Sequence, residues 1–227
     1  MTIVVIRPQP GNDATIAALR AQGLPARALP FFETRPVAWT PPDPAMVDAL
    51  LFTSAQGVML AGPGLAKLAD RPAVAVGPAT AAAARSIGLS VVLEGKRDAA
   101  AVVAAARAIG LARLLHLAGR DRVATGAMER IVYAADPLPV TPDAIHDLRD
   151  CTVLLHSARA ARHLAQSVDD HAVPRATIAL VAISAKTAEA AGPGWRSIVT
   201  ADAPRDDAMV AAARTLTRTA ATGISGG

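Results

Sequence analysis

Short apolar runs alternate along nearly the whole chain with segments patterned for helices. Parallel strands joined by crossover helices are the arrangement that buries such runs best. The strand candidates are residues 2–6 (TIVVI), 49–52 (ALLF), 73–76 (AVAV), 90–93 (SVVL), 114–117 (LLHL), 152–156 (TVLLH), 177–183 (TIALVAI) and 197–200 (SIVT). Helices are expected over 12–22, 54–61, 78–87, 98–109, 157–168, 185–191 and 206–219, and the tail, 219–227, reads as disordered. Hydrophobic residues make up 52% of the chain and aromatic residues only 3%. The cores must therefore be built from Ala, Val, Leu and Ile at close helix-to-sheet approach, which again favours an α/β fold.

Two proline-marked stretches, 31–44 and 131–143, break the alternation, and each holds a short β-like piece beside turn residues. If both are crossovers, residues 1–32 and 138–227 form one discontinuous domain and 38–130 form an inserted second one. Residues 33–37 and 131–137 are then linker strands. An internal repeat supports this division. LLFTSA (50–55) resembles LLHSA (154–158), and VAVGPATA (74–81) resembles VAISAKTA (181–188). The expected fold is two similar parallel-sheet α/β domains, doubly wound and flavodoxin-like, joined by a two-stranded linker.

Strand-to-helix junctions of a parallel sheet lie at its carboxyl edge, where ligands bind and where helix starts offer unpaired N–H groups. Ser54, Ser157 and Ser184 are natural N-caps, and Pro78 suits the first helical position after Gly77. Thr80 and Thr187 are expected in the first turns with their hydroxyls near the edge. Such residues are also ordinary caps; it is their paired occurrence that points to an anion site. The loop LAGRDR (117–122) puts Gly119, Arg120 and Arg122 at the same edge, and Arg7-Pro8 ends the first strand. Each arginine can clamp a carboxylate or be solvated surface charge. Tyr133, the only tyrosine, lies in the second crossover. His116 and His156 end strands, where they either line a cleft or sit satisfied in the interior.

The formal net charge is +4, yet the 23 basic residues, of which Lys67, Lys96 and Lys186 are the lysines, are scattered, and few aromatics are present to stack on bases. This excludes a nucleic-acid binder and suits a small acidic ligand. Cys151 is the only cysteine, so no internal disulfide or cysteine-based zinc site forms, and a cytoplasmic location is the simplest reading. The apolar start, Ile3 to Ile6, breaks at Arg7-Pro8 and is too short for a signal peptide or membrane span. The motifs of dinucleotide, P-loop, zinc-protease and α/β-hydrolase sites are missing.

Arg7-Pro8 after the first strand, FTSA (52–55), VAVGPATA (74–81), HLAGRD (116–121), VYAA (132–135), LLHSA (154–158) and AISAKTA (182–188) follow the order found in uroporphyrinogen-III synthases, which the chain resembles from residue 2 to about residue 215. The resemblance implies two domains, a discontinuous first domain, a two-stranded linker, an active site in the cleft, and no metal or organic cofactor. It implies as substrate hydroxymethylbilane, a linear tetrapyrrole with eight carboxylates, cyclised to uroporphyrinogen III. In that chemistry the hydroxyl leaves as water to give an azafulvene cation, the terminal pyrrole attacks through its substituted carbon, and a spiro intermediate reopens and recloses with ring D inverted. Tyr133 matches the tyrosine proposed to assist departure of the hydroxyl. Thr80, Ser157 and Thr187 match residues that line the cleft. The full set of expected substrate-binding residues is Arg7, Thr53, Ser54, Gly77, Thr80, Gly119, Arg120, Ser157, Ala158, Ser184, Lys186 and Thr187.

Two departures carry expectations of their own. Relatives usually place a helix and a strand between the G-R-D loop and the tyrosine, and Gly119 to Tyr133 is too short for both, so the second domain lacks an element or carries a distorted edge. Ser184-Ala185-Lys186 stands where G-P-x is common, and Lys186 provides a compensating charge. The expected protein is a monomer acting on a small molecule. A non-catalytic two-domain small-anion binder, or a degenerate synthase homologue, is the alternative the sequence leaves open.

Overall fold

A computed structural model describes residues 1–95 and 98–222, with side chains as far as 218. The chain divides into two compact units, Met1–Glu33 with Pro137–Gly227, and Thr34–Asp136. It passes between them on β3 (Phe32–Pro36) and β8 (Met128–Pro137), which are neighbours in one sheet. Their bonds from Leu138 N–H to Phe31 O and from Val37 N–H to Val132 O advance in opposite directions, so the pair is antiparallel.

The first unit contains β1 (Ile3–Val5), α1 (Gly11–Ala21), β2 (Ala26–Ala28), α5 (Pro142–His146), β9 (Thr152–Leu155), α6 (Ala158–Asp170), β10 (Ala179–Ala182), α7 (Ala185–Ala191), β11 (Ser197–Thr200) and α8 (Asp206–Thr222). Its strands are all parallel, in the order β11-β10-β9-β1-β2. Numbered within the unit this is 2-1-3-4-5, the flavodoxin order. β9 and β10 are buried along their whole length, which their unbroken apolar runs require. On α1 the buried positions Asn12, Thr15, Ile16 and Leu19 recur at helical spacing and face the sheet.

The second unit contains β4 (Ala49–Phe52), α2 (Ala55–Met59), β5 (Ala73–Val76), α3 (Pro78–Ser86), β6 (Val91–Gly95), α4 (Ala99–Ala108), β7 (Leu114–Gly119) and most of β8. The sheet order is β3-β8-β7-β4-β5-β6, parallel from β8 to β6. Without β3 the unit order is 3-2-1-4-5, a different winding from that of the first unit. The two sheets nonetheless share one layout, β11-β10-β9-β1-β2 matching β6-β5-β4-β7-β8. The matched pair at the end, β1 and β2 or β7 and β8, comes first in the chain order of one unit and last in the other. The units are circular permutants of a common plan, and this is how a repeated junction arises without a repeated strand order.

The permutation identifies the shortened region. β1 and β2 are joined by α1, whereas residues 120–127 join β7 to the parallel β8 with no helix. β8 also skips one residue against β7, Ala118 pairing with Ile131 and Gly119 with Tyr133. Both halves of the expectation hold: one helix is missing and the edge is bulged. The short elements β2 and α5 were not expected, being only 3 and 5 residues long. Residues 219–222 continue α8, and the rest of the tail, 223–227, lies outside the described residues. Among the described residues no helix is long and apolar enough to cross a membrane.

In the first unit the switch point between β1 and β9 is held by charge. Arg7 Nη1 lies 2.9 Å from Asp206 Oδ1, Thr15 Oγ1 donates to Asp206 Oδ2 at 2.8 Å, and His156 Nε2 lies 3.0 Å from Oδ1. One carboxylate at the start of α8 thus ties together the ends of β1 and β9 and the first turns of α1. Asn12 pins the β1–α1 turn, its amide donating to Val5 O and Arg7 O at 2.8 Å each. Burial alone raises the Asp206 pKa, but the hydrogen bonds from His156 and Thr15 and the charge of Arg7 outweigh it and hold the group down at about 2.

Two outcomes follow. Asp206→Asn is expected to cost about 1–2 kcal/mol at neutral pH, allowing for the group's partial exposure, as measured by urea unfolding. Because the folded pKa is depressed from 3.8, the stabilisation is complete above that value and is lost as pH falls from about 4 to about 2, so the variant's stability should be flatter across that window. A Cβ on Gly57 in α2 would sit 2.6 Å from the Leu117 carbonyl oxygen. Gly57→Ala should therefore lower the unfolding free energy by about 1–3 kcal/mol, read from urea unfolding, despite alanine's better helix propensity.

Candidate functional site

Four strand-to-helix junctions meet the carboxyl edges of the sheets, β4 and β5 in the second unit, β9 and β10 in the first. At three of them a serine caps the helix with nearly the same backbone: φ −152° and ψ 143° at Ser54, φ −159° and ψ 152° at Ser157, φ −161° and ψ 161° at Ser184. Each Oγ accepts a first-turn N–H: Gln56 at 3.2 Å, Ala160 at 3.1 Å and Thr187 at 3.3 Å. Gly77 is the exception. Its φ of +91° is open to glycine at little cost, and Pro78 follows at the first helical position. The junction at Ser184 is ordinary extended backbone, so it matches Gly77-Pro78 in place but not in conformation.

One rule governs all four helix starts: the third residue faces inward. Gly57, Thr80, Ala160 and Thr187 are buried, and at the second position Ala79 and Lys186 are exposed. A turn of about 100° per residue produces this alternation. Thr80 and Thr187 are 5% and 3% exposed, so both side chains are largely shielded from solvent. The Thr187 hydroxyl lies 3.1 Å from Ser184 Oγ, inside the cap. Of the expected site residues at these starts, Ser157 and Lys186 are exposed, and Ser54, Gly77, Ala158 and Ser184 are half-buried.

The arginines expected as clamps carry carboxylates of their own unit. Arg7 holds Asp206. Arg120 Nη1 lies 2.7 Å from Asp136 Oδ1, and Arg35 binds the other oxygen of the same carboxylate. Asp136 is held below the usual carboxylate range, chiefly by the Arg35 hydrogen bond. Arg122 Nε donates to Glu129 at 2.7 Å. Arg35 and Arg120 thus share one carboxylate.

Tyr133 lies against Gly119. A Cβ on Gly119 would fall 2.6 Å from Tyr133 Cζ and 2.8 Å from its hydroxyl oxygen. The glycine is there for space, since its φ lies outside the left-handed region. The β7–β8 bulge sets this contact by pairing Gly119 with Tyr133 in place of Val132. The Arg120 N–H donates to the Tyr133 carbonyl at 2.9 Å, and the ring packs on the core of Leu115 and Leu117. The phenol is thereby fixed at the carboxyl end of β7. Gly119 itself is buried.

A polar group missed as a unit by the sequence sits at the switch point between β4 and β7. His116, 0% exposed, has Nε2 at 2.9 Å from Thr53 Oγ1 and Nδ1 at 3.3 Å from Thr125 Oγ1 and 3.6 Å from Glu129 Oε1. Burial pushes its pKa down, so the ring is neutral near pH 7. His116 was expected at a strand end, and instead it lies within β7, which runs on to Gly119. Its partners come from β4, the 120–127 loop and β8.

No curated protein sequence matches significantly. The structure is similar to a crystal structure of uroporphyrinogen-III synthetase from Helicobacter pylori, with 18% identity, a TM-score of 0.66, and 95% of this chain and 99% of that chain covered. It is also similar to a mutant uroporphyrinogen III synthase from Thermus thermophilus, with 16% identity, a TM-score of 0.54, and 96% and 99% covered. These likenesses bear on the fold. The family model of uroporphyrinogen-III synthase HemD matches residues 13–211, far more than half of the chain, and the chain therefore belongs to the uroporphyrinogen-III synthase family.

Proposed function

We propose that this chain cyclises hydroxymethylbilane to uroporphyrinogen III, losing water and inverting ring D, as a step of tetrapyrrole biosynthesis. The observation that carries the reading is the family match across residues 13–211. It needs no metal or organic cofactor, and the chain works as a cytoplasmic monomer. Residues 33–37 and 131–137 serve as linker strands between domains made of 1–32 with 138–227 and of 38–130.

The substrate closes in water without inversion, so the protein has to select a geometry. Fixed donors suit that task better than a strong reagent. Free first-turn N–H groups after Ser54, Gly77, Ser157 and Ser184 bind ring carboxylates, joined by the Ala158 backbone and the Lys186 ammonium. Thr80 and Thr187 act from inside the first turns, keeping those N–H groups aimed. Arg7 and Arg120 contribute the field left over from their own ion pairs. Tyr133, steadied by Gly119, hydrogen-bonds the departing hydroxyl and helps it leave as water.

Purified protein given hydroxymethylbilane is expected to yield mainly isomer III by chromatography. A mixture equal to the protein-free control would reject the reading, and tight carboxylate binding without turnover would select the non-catalytic anion binder in its place. Tyr133→Phe should cut kcat about ten- to a hundredfold with an unchanged unfolding midpoint. An unchanged rate removes Tyr133 from the mechanism.

A further inference from the structure

The edge of the second unit is not uniform in hydrogen-bonding sense. Ser54 Oγ spends a lone pair on the Gln56 N–H, so its own hydrogen is free to donate. Thr53, one residue earlier and partly exposed, is in the opposite position. Its Oγ1 lies 2.9 Å from His116 Nε2, and which atom gives the hydrogen depends on the imidazole tautomer.

The surroundings decide the tautomer. The Glu129 carboxylate faces Nδ1, with Oε1 at 3.6 Å, and that oxygen is buried with no hydrogen-bond partner. The hydrogen bond from Arg122 holds Glu129 below its ordinary pKa, hence ionised. Each ring nitrogen meets a threonine hydroxyl, Nδ1 that of Thr125 at 3.3 Å and Nε2 that of Thr53 at 2.9 Å, so the Glu129 charge on the Nδ1 side is what distinguishes them, and it puts the single proton of the neutral ring on Nδ1. Nε2 is then a lone pair, and the only bond it can form to Thr53 is to accept the hydroxyl hydrogen. The hydrogen of Thr53 is committed to His116, and the oxygen of this partly exposed residue is left as an acceptor.

We infer that Thr53 is a hydrogen-bond acceptor for a pyrrole N–H of the substrate and not a carboxylate donor, with His116 and Glu129 as positioning residues that fix its polarity. This rests on the synthase reading, which supplies both kinds of group. Carboxylates match the N–H groups of the helix starts, whereas a lone pair facing a carboxylate is repulsive, and pyrrole nitrogens carry hydrogens that need acceptors. The contact strengthens during reaction. When the hydroxyl leaves, positive charge spreads over the azafulvene ring and its N–H becomes a stronger donor, so an acceptor backed by ionised Glu129 stabilises the cation more than the substrate. The first unit has no counterpart: His156, which precedes Ser157 as Thr53 precedes Ser54, directs Nε2 to Asp206.

The test combines histidine-labelled 15N NMR with turnover of hydroxymethylbilane. The wild-type protein should show His116 as the Nδ1–H tautomer, and Glu129→Gln should shift it toward Nε2–H. Thr53→Val should lower kcat about tenfold with KM nearly unchanged and raise the share of isomer I, and Thr53→Ser should restore both. An Nε2–H tautomer in the wild type overturns the inference, as does a Thr53→Val variant with unaltered kcat and isomer ratio while the wild type makes isomer III. Failure of the wild type itself to make isomer III rejects the synthase reading, and the inference with it.

Discussion

Parallel pairing is the constraint on which the rest of this protein depends. A strand that runs alongside its predecessor in the same direction obliges the chain to return by a crossover, so every strand-to-helix turn falls on the same edge of its sheet. Backbone N–H groups at helix starts are left without intrahelical partners there, and they accumulate on that edge. The near-identical backbones of Ser54, Ser157 and Ser184 are one solution to that geometry used three times.

The shared sheet layout with permuted chain order explains what differs between the units. In the first, Val5 of β1 is covered by Ile16 and Leu19 of α1 in an apolar cluster. In the second the corresponding strand, β7, passes to β8 without a crossover helix, and His116, buried within β7, has Thr53 and Thr125 in hydrogen-bond reach and the Glu129 carboxylate beside it. A loop of eight residues cannot supply an apolar helix face, and polar side chains gather there instead. The saving of a helix and the polar character of this switch point are one event.

Much of the fold was legible because buried parallel strands and amphipathic helices leave periods that survive without tertiary information. Every expected strand and helix forms, within a few residues at the ends. β2, with the sequence ARA, is too short to leave a period. β8 was expected only over 131–137; its first residues, 128–130, include the charged Glu129 and Arg130, and their strand character depends on pairing with β7. The site was legible at the caps, where sequence and conformation are one residue apart. It was not legible where partners are distant: Arg7 and Asp206 are 199 residues apart, and Thr53 and His116 are 63 apart. The inward aim of Thr80 and Thr187 depends on helix phase against the sheet, which the residue types do not record.

The permuted order also bears on how the chain is made. Residues 34–136 form an uninterrupted unit whose strands all precede β9, so it can fold while the remainder is still being synthesised. The other unit cannot close until β9, β10 and β11 emerge to join β1 and β2. Once the inserted unit has folded, β3 and β8 are paired, which brings its entry and exit together and replaces a long floppy excursion by a short rigid one. Insertion of one half into the other thus imposes an assembly sequence, in which the later half inherits a loop-closure entropy already met by the earlier.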